Sequence, residues 1–437
     1  MTAQAVVDYL AAQQRLGPEL PAPDLPWLVE LRDGGVERLR DAGFPSLRDE
    51  DWRYTNVQSL LKKPFEVGPA GQCDVDTAFV SRTAIPSLEC YRIVVVNGVP
   101  MAHLSDVTLM PEGMRVSSLA DVLVSDPGRL EPYLGKNLVP DPHGFTAMNS
   151  AFLGNGLVVE IAPGQVFDKP LEIVFVASAA TEATMVQPRN LVVAGKGSQL
   201  QVLARYVAIG AQRTLTNVVT EVIVDADAHL TLYQLQEESK NSFHIGGLFA
   251  KLGRGSRFDA FAITLAGELV RNDLMVDLDG VGAEVNLRGL YLARGRQHID
   301  NHTQIFHNEP SCISHEHYKG VLDDRARAVF HGRIVVQPDA QKTVSEQSNQ
   351  NLLLSRDAEI DTKPQLEIYA DDVKCAHGAT VGQLDKDALF YLRSRGIPEE
   401  MAKRLLIKAF ASDVLLAASP DSLREYLLTR VEMMLTD

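Results

Sequence analysis

In the run Asp371-Asp372-Val373-Lys374-Cys375-Ala376-His377-Gly378 a thiol and an imidazole stand two residues apart. Side chains alternate faces along an extended backbone, so Cys375 and His377 would project to the same side of a strand. Thiolate and imidazole are soft-to-borderline donors that suit iron, zinc or an iron–sulfur cluster. Gly378 and Gly382 are expected to release the chain into a turn, leaving the pair near the end of an element. Two ligands do not make a metal site. For the spacing alone, a small buried cysteine beside a hydrogen-bonded histidine is the ordinary reading.

Other groups offer weaker chemistry. His298, His302, His307, His315, His317 and His331 crowd one stretch with Cys312, and His315 and His317 would share a strand face. No triad among them has a defined ligand spacing such as His-Glu-x-x-His, and exposed strands often carry histidine. Trp52 and Tyr54 could stack on a ligand, although anchoring a loop on the core is the commoner use of such rings. Glu367, Asp371 and Asp372 could add oxygen ligands near Cys375 and His377, but acids in turns are usually solvated or capping. There is no Gly-x-x-x-x-Gly-Lys-[Ser/Thr], so no nucleotide site of the P-loop type is expected. Gly195-Lys196-Gly197 and Gly280-Val281-Gly282 lack the third glycine of a dinucleotide fingerprint, and no Gly-x-Ser-x-Gly elbow occurs.

The elements that must position these residues fall into three stretches. Residues 1–156 read as helical and mixed: Val6, Val7, Leu10 and Ala11 share a helical face that Gly17-Pro18 ends, and a second helix is expected over 28–39. A strand over 92–96 turns at Asn97-Gly98, and a short helix over 145–152 is closed by Gly154-Asn155-Gly156. Residues 157–370 carry recurrent short strands, expected at 157–161, 171–176, 191–193, 200–206, 218–224, 230–235, 257–265 and 284–292. Periodicity fits either a sandwich or a parallel β-helix, whose stacked coils would leave edge strands at both ends. Residues 371–437 turn helical, with Asp385 as N-cap, Gly396 as stop, and Pro398 and Ser419-Pro420 opening two further helices. In the second of these, Ala402, Leu405, Leu406, Ala409 and Phe410 form the expected apolar stripe. Arg393, Arg395, Lys403, Arg404 and Lys408 give the helices a basic face, which suits a protein dock better than a DNA reader in so acidic a chain.

Several of these words together resemble the SufB/SufD family of iron–sulfur cluster assembly scaffolds. They are Lys363-Pro364-Gln365-Leu366-Glu367-Ile368, the run from Asp372 to Gly382, Phe390-Tyr391-Leu392-Arg393-Ser394-Arg395-Gly396-Ile397, Tyr318-Lys319-Gly320-Val321-Leu322, and Ala340-Gln341-Lys342-Thr343 with Asn351-Leu352-Leu353-Leu354-Ser355. The N-terminal word from Phe44 to Thr55, with Trp52-Arg53-Tyr54, belongs to the same pattern. That word, and the lack of any cysteine before Cys73, make the chain more similar to the SufD branch than to the SufB branch, which often carries N-terminal cysteines. The resemblance implies a mainly β fold: a right-handed parallel β-helix flanked by N-terminal and C-terminal helical domains. It implies a non-enzymatic scaffold that pairs with a SufB-like subunit through the β-helix and binds a SufC-like ATPase through the C-terminal helices. A transient iron–sulfur cluster would form at the SufB junction, with His377 as the principal iron or cluster ligand and Cys375 as the secondary one. No cluster would be held tightly by this chain alone, and a homodimer is conceivable when the partner is absent. A SufB-type subunit, or a carbohydrate-active enzyme on a β-helix, are the alternatives.

The composition agrees with this. A formal net charge of −15 argues against a general nucleic-acid or anionic-membrane binder. Four dispersed cysteines, with no Cys-x-x-Cys pair, form no disulfide framework and suit a reducing cytosol. The first residues lack a basic n-region and a sustained apolar core, so a cytoplasmic protein is expected.

Overall fold

The computed structural model describes residues 2–67, 75–138, 143–178, 183–210 and 212–435; Cys73 lies outside them. Two sheets, of eleven and ten strands, face each other, and successive strands from Leu157–Ile161 to Lys374–Gly382 mostly alternate between them. The pairings along the body are parallel, so the chain winds a β-solenoid of about eight turns. Asp273, His302 and His331 stand on one row of adjacent rungs, a repeat of about 29 residues per coil. The mainly β reading and the flanking helices are borne out. The strands named from the sequence are all present, most of them longer than expected, while Arg257–Thr264 ends one residue sooner.

Among the strands that the sequence reading did not name are Ser242–Leu252 and Leu269–Leu278. Both faces of the first are buried and Gly246-Gly247 interrupts it, while Arg271 and Asp273 break the apolar pattern of the second. Alternation in a solenoid sorts side chains between lumen and outer face rather than between core and water.

The strand Glu284–Ala293 illustrates this. Val285, Leu287, Tyr291 and Ala293 join the lumen core, whereas Leu290 and Leu292 pack outward under the C-terminal helices. Across the register Gly289 faces Tyr318 and Tyr291 faces Gly320. A Cβ on Gly289 would lie 2.0 Å from the Tyr318 ring, and one on Gly320 would lie 2.2 Å from Tyr291. The word Tyr318-Lys319-Gly320 is therefore a packing device. Its lysine faces out, binds Asp413 at 2.7 Å and lies over the Phe410 ring, pinning the helix Glu399–Leu415 to the sheet.

The N-terminal helices Thr2–Leu16, Pro26–Ala42 and Gly144–Ala151 cover the outer face of the first sheet. Their buried residues include Ala5, Val6 and Tyr9; Val7, expected on that face, is exposed. The helices Lys386–Ser394, Glu399–Leu415 and Asp421–Met434 flank the second sheet. The buried stripe of the middle one is Ala402, Ile407, Ala411, Val414 and Leu415, so Leu405 is exposed, contrary to expectation. The basic face is also largely neutralised, with Arg393 on Glu399, Lys403 on Glu399 and Glu400, and Lys408 on Glu432. What this surface exposes instead is apolar: Phe390, Tyr391, Met401 and Leu405. No helix among the described residues is long and apolar enough to cross a membrane.

The two ends of the solenoid differ, and only one leaves long open edges. At the N-terminal end, short antiparallel strands close the sheets, Met114–Ser118 against Leu157–Ile161 and Val99–Pro100 against Tyr91–Val96. At the C-terminal end, among the described residues, Glu359–Ile368 pairs only with Arg327–Val336 and Lys374–Gly382 only with Val344–Leu353.

Candidate functional site

Cys375 and His377 lie within the nine-residue strand Lys374–Gly382, at the open end of the second sheet. No turn occurs at Gly378: the strand runs on to Gly382, because Lys374 through Gly382 remain in register with Val344 through Leu352. The pair is near the end of the sheet stack rather than near the end of its strand.

Register fixes which way the two side chains face. Cys375 is opposite Ser345, itself opposite Ser314, and His377 is opposite Gln347, itself opposite Glu316. Those four neighbours are buried, and Cys375 packs against the lumen core. The thiol and imidazole therefore continue two lumen rows onto the uncovered last coil. His377 is exposed and Cys375 half-buried because no further coil lies above them.

Among the described residues, no strand pairs with the other side of this strand's backbone. The Lys374 amide donates inward to the Thr343 carbonyl. Alternation then turns the amides of Cys375, His377, Ala379 and Val381 to the free edge. Such an edge is a template for another strand.

Burial pushes the Cys375 thiol up, offset in part by a backbone hydrogen bond from the Ser345 position. It is a poor thiolate in the isolated chain, since the deprotonated form is the metal ligand. Beneath the pair the lumen is polar. Gln347 Nε2 donates to Glu316 Oε2 at 2.7 Å, and burial pushes the fully enclosed Glu316 carboxyl up to about 7. Neither Gln347 nor Glu316 stood out in the sequence; the repeat of the coil is the signal that places them under His377.

The acids near this run do different work. Arg333 holds Glu367 on the other sheet at 2.7 Å, and Asp372 is an exposed turn residue whose carbonyl accepts from the Lys342 amide at 2.6 Å. Asp371 is exposed beside it.

The crowded histidines disperse. His307 is buried with Nε2 2.9 Å from Ser314 Oγ, and burial lowers its pKa to about 4. His315 and His317 do face out together, but toward Glu346 at 3.6 Å and Asp413 at 3.3 Å. Cys312 is sealed in the core, 3.3 Å from the Gly280 carbonyl. Only His302 and His331 meet, with ring centroids 4.9 Å apart. Trp52 is an anchor: it is buried, with the Arg271 guanidinium 3.8 Å from its ring centroid and His143 edge-on at 5.1 Å. Tyr54 beside it is exposed.

The fold and site together define a parallel β-solenoid with one open end, a metal-type donor pair on that end and helices on both outer faces. Comparison with known proteins names the class. The family description "SUF system FeS cluster assembly, SufBD core domain" matches residues 175–410, and "SufBD protein N-terminal region" matches residues 8–173. The chain belongs to the SufBD family of iron–sulfur cluster assembly proteins. It is 31% identical over 402 residues to the iron–sulfur cluster assembly protein SufD of Escherichia coli, covering 91% of this chain and 90% of that protein. A SufBD-family protein of Synechocystis is 33% identical over 396 residues, 89% of this chain and 87% of the relative. SufD of Bacillus subtilis is 26% identical over 414 residues, 93% of each chain. The resemblance first carried by short words thus extends along the chain, and relatives named SufD support a scaffold role in the SUF system.

Proposed function

We propose that this chain joins a SufB-like subunit through the open edges of its solenoid and presents His377, seconded by Cys375, to a nascent iron–sulfur cluster at the junction. The observation that carries this is the placement of His377. It is an exposed imidazole on a lumen row, on a strand whose outward amides have no neighbour. Strand addition to Lys374–Gly382 and Glu359–Ile368 would place donors of the second chain directly above it. Iron would be held by an imidazole nitrogen and by thiolate or sulfide supplied mainly by the partner. The cluster is cargo, released to other proteins, and not a resident group of this chain.

The C-terminal helices are proposed to dock a SufC-like ATPase. Phe390, Tyr391, Met401 and Leu405 supply an exposed apolar centre, and the paired charges around them a polar rim. The chain itself has no P-loop, so hydrolysis would belong to the docked subunit, and the scaffold would be non-enzymatic and cytoplasmic. Without the partner, the same edges would pair two copies of this chain. Co-expression with SufB-like and SufC-like subunits tests the reading: all three should co-elute in size-exclusion chromatography. A chain that elutes alone in their presence would overturn it.

A further inference from the structure

We propose a second metal site, independent of His377, in which His302, His331 and Asp51 bind one divalent first-row transition-metal ion of the ferrous type. The three are the one group of at least three metal-type side chains whose donor atoms converge among the described residues, lying within 4.8 Å of one another. They come from three places. His302 and His331 are direct partners on the neighbouring strands His298–His307 and Arg327–Val336 of the first sheet. Asp51 belongs to the N-terminal segment laid over that sheet, its Oδ1 3.7 Å from His331 Nδ1.

Three further observations point to an ion rather than to simple packing. Each imidazole has its other side held. His302 Nε2 is 2.9 Å from Asp300 Oδ1, and His331 Nε2 is 3.4 Å from Gln365 Oε1. Gln365 is an outer acceptor of the kind that orients a metal-bound histidine and leaves its second nitrogen as donor, while Asp300 meets His302 as a close ion-pair contact. A cavity of about 220 Å³ opens beside the three, room for an ion and its waters. The neighbouring cations are mostly engaged elsewhere: Lys363 on Glu50 at 2.7 Å, Arg271 on Asp273 and Asp300, and Arg333 on Glu367. Donors about 2.0–2.2 Å from a metal stand about 3 Å apart, so closure draws the three donors inward from their present spread of up to 4.8 Å, with the half-exposed Asp51 free to swing. Two imidazoles and one carboxylate with open positions is the set that suits ferrous iron, and it also accepts cobalt. The bound ion would clamp the segment Glu50–Thr55 onto the solenoid.

The test uses the full chain, purified metal-free and titrated with Co(II) without oxygen, read by visible d–d absorbance and by thermal melting. One equivalent should give a saturating spectrum and raise the melting temperature. Asp51→Ala and His331→Ala should each weaken binding at least tenfold, while His315→Ala, a half-exposed imidazole on the other sheet, leaves the spectrum unchanged. Asp51 is half-exposed, so its variant tests the site even if a histidine variant folds poorly. A wild-type chain that binds no Co(II), binding unchanged in Asp51→Ala and His331→Ala, or a spectrum lost only with His315 would each overturn the site. Stabilisation by phosphate in place of Co(II) would overturn it too, by making this an anion pocket.

Discussion

Replacing Glu316 with Gln should stabilise the chain above neutral pH and flatten the pH dependence of its stability. The carboxyl is enclosed in the lumen beneath His377, and burial raises it from 4.5 to about 7 against the hydrogen bond from Gln347 that pulls it down. The folded-state value lies above the unfolded one, so the folded chain binds the extra proton between about pH 4.5 and 7. Stability from this group is then highest below pH 4.5 and falls as pH rises to about 7. A gap of about 2.5 pH units at ~1.4 kcal/mol each amounts to a cost of ~3 kcal/mol at pH 8. A glutamine carries no charge to desolvate, and its oxygen can still accept from Gln347 Nε2, now 2.7 Å from the carboxylate. Urea denaturation followed by circular dichroism at pH 5 and pH 8 isolates the term as the difference between wild type and variant. A variant less stable than wild type at pH 8, or one with the same pH dependence, would refute the reasoning.

Arg271 should be the costliest residue of the N-terminal anchor. Arg271→Met leaves the buried Asp300 and the partly buried Asp273 without their shared cation and should cost ~3–5 kcal/mol by urea denaturation. Burial opposes ionisation of both acids, but Arg271 and the histidines hold them well below the usual carboxylate range. Their stabilisation is thus present above about pH 4 and lost as pH falls below it, a loss that acid titration should find reduced in the variant. Phe390→Glu changes an exposed side chain, so stability should stay within ~0.5 kcal/mol while co-purification with the SufC-like ATPase falls. Ala379→Pro removes an outward amide without touching the inward ladder, and each lost or blocked edge bond is worth ~1 kcal/mol. Sedimentation should show weaker pairing with the SufB-like subunit and an unchanged melt.

The strand-rich body was legible because its strands are β-branched and punctuated, the solenoid itself only through the family resemblance, and the caps of the C-terminal hairpin were legible because Asp385, Gly396 and Pro398 act locally. Asp385 does cap, accepting from the Asp387 and Ala388 amides. What sequence order hides is the row. His302 joins His331 and His377 lies above Gln347 only through the coil repeat, and Asp51 arrives from a segment remote in the chain. The same cause misled the reading of Gly378. A glycine after a ligand pair suggests a turn, yet here the register with the preceding coil keeps the strand extended. The stripe of the helix Glu399–Leu415 was misassigned because both its faces carry apolar residues. One packs on the sheet, and the other stays exposed.

The most direct test is the iron and sulfide content of the complex reconstituted with SufB-like and SufC-like subunits, compared between wild type and His377→Ala. The exposed imidazole contributes little packing, so the variant should melt within ~1 kcal/mol of wild type and still assemble. It should carry markedly less iron and sulfide and weaker visible absorbance, with Cys375→Ser in between. A fully loaded His377→Ala complex would contradict the account.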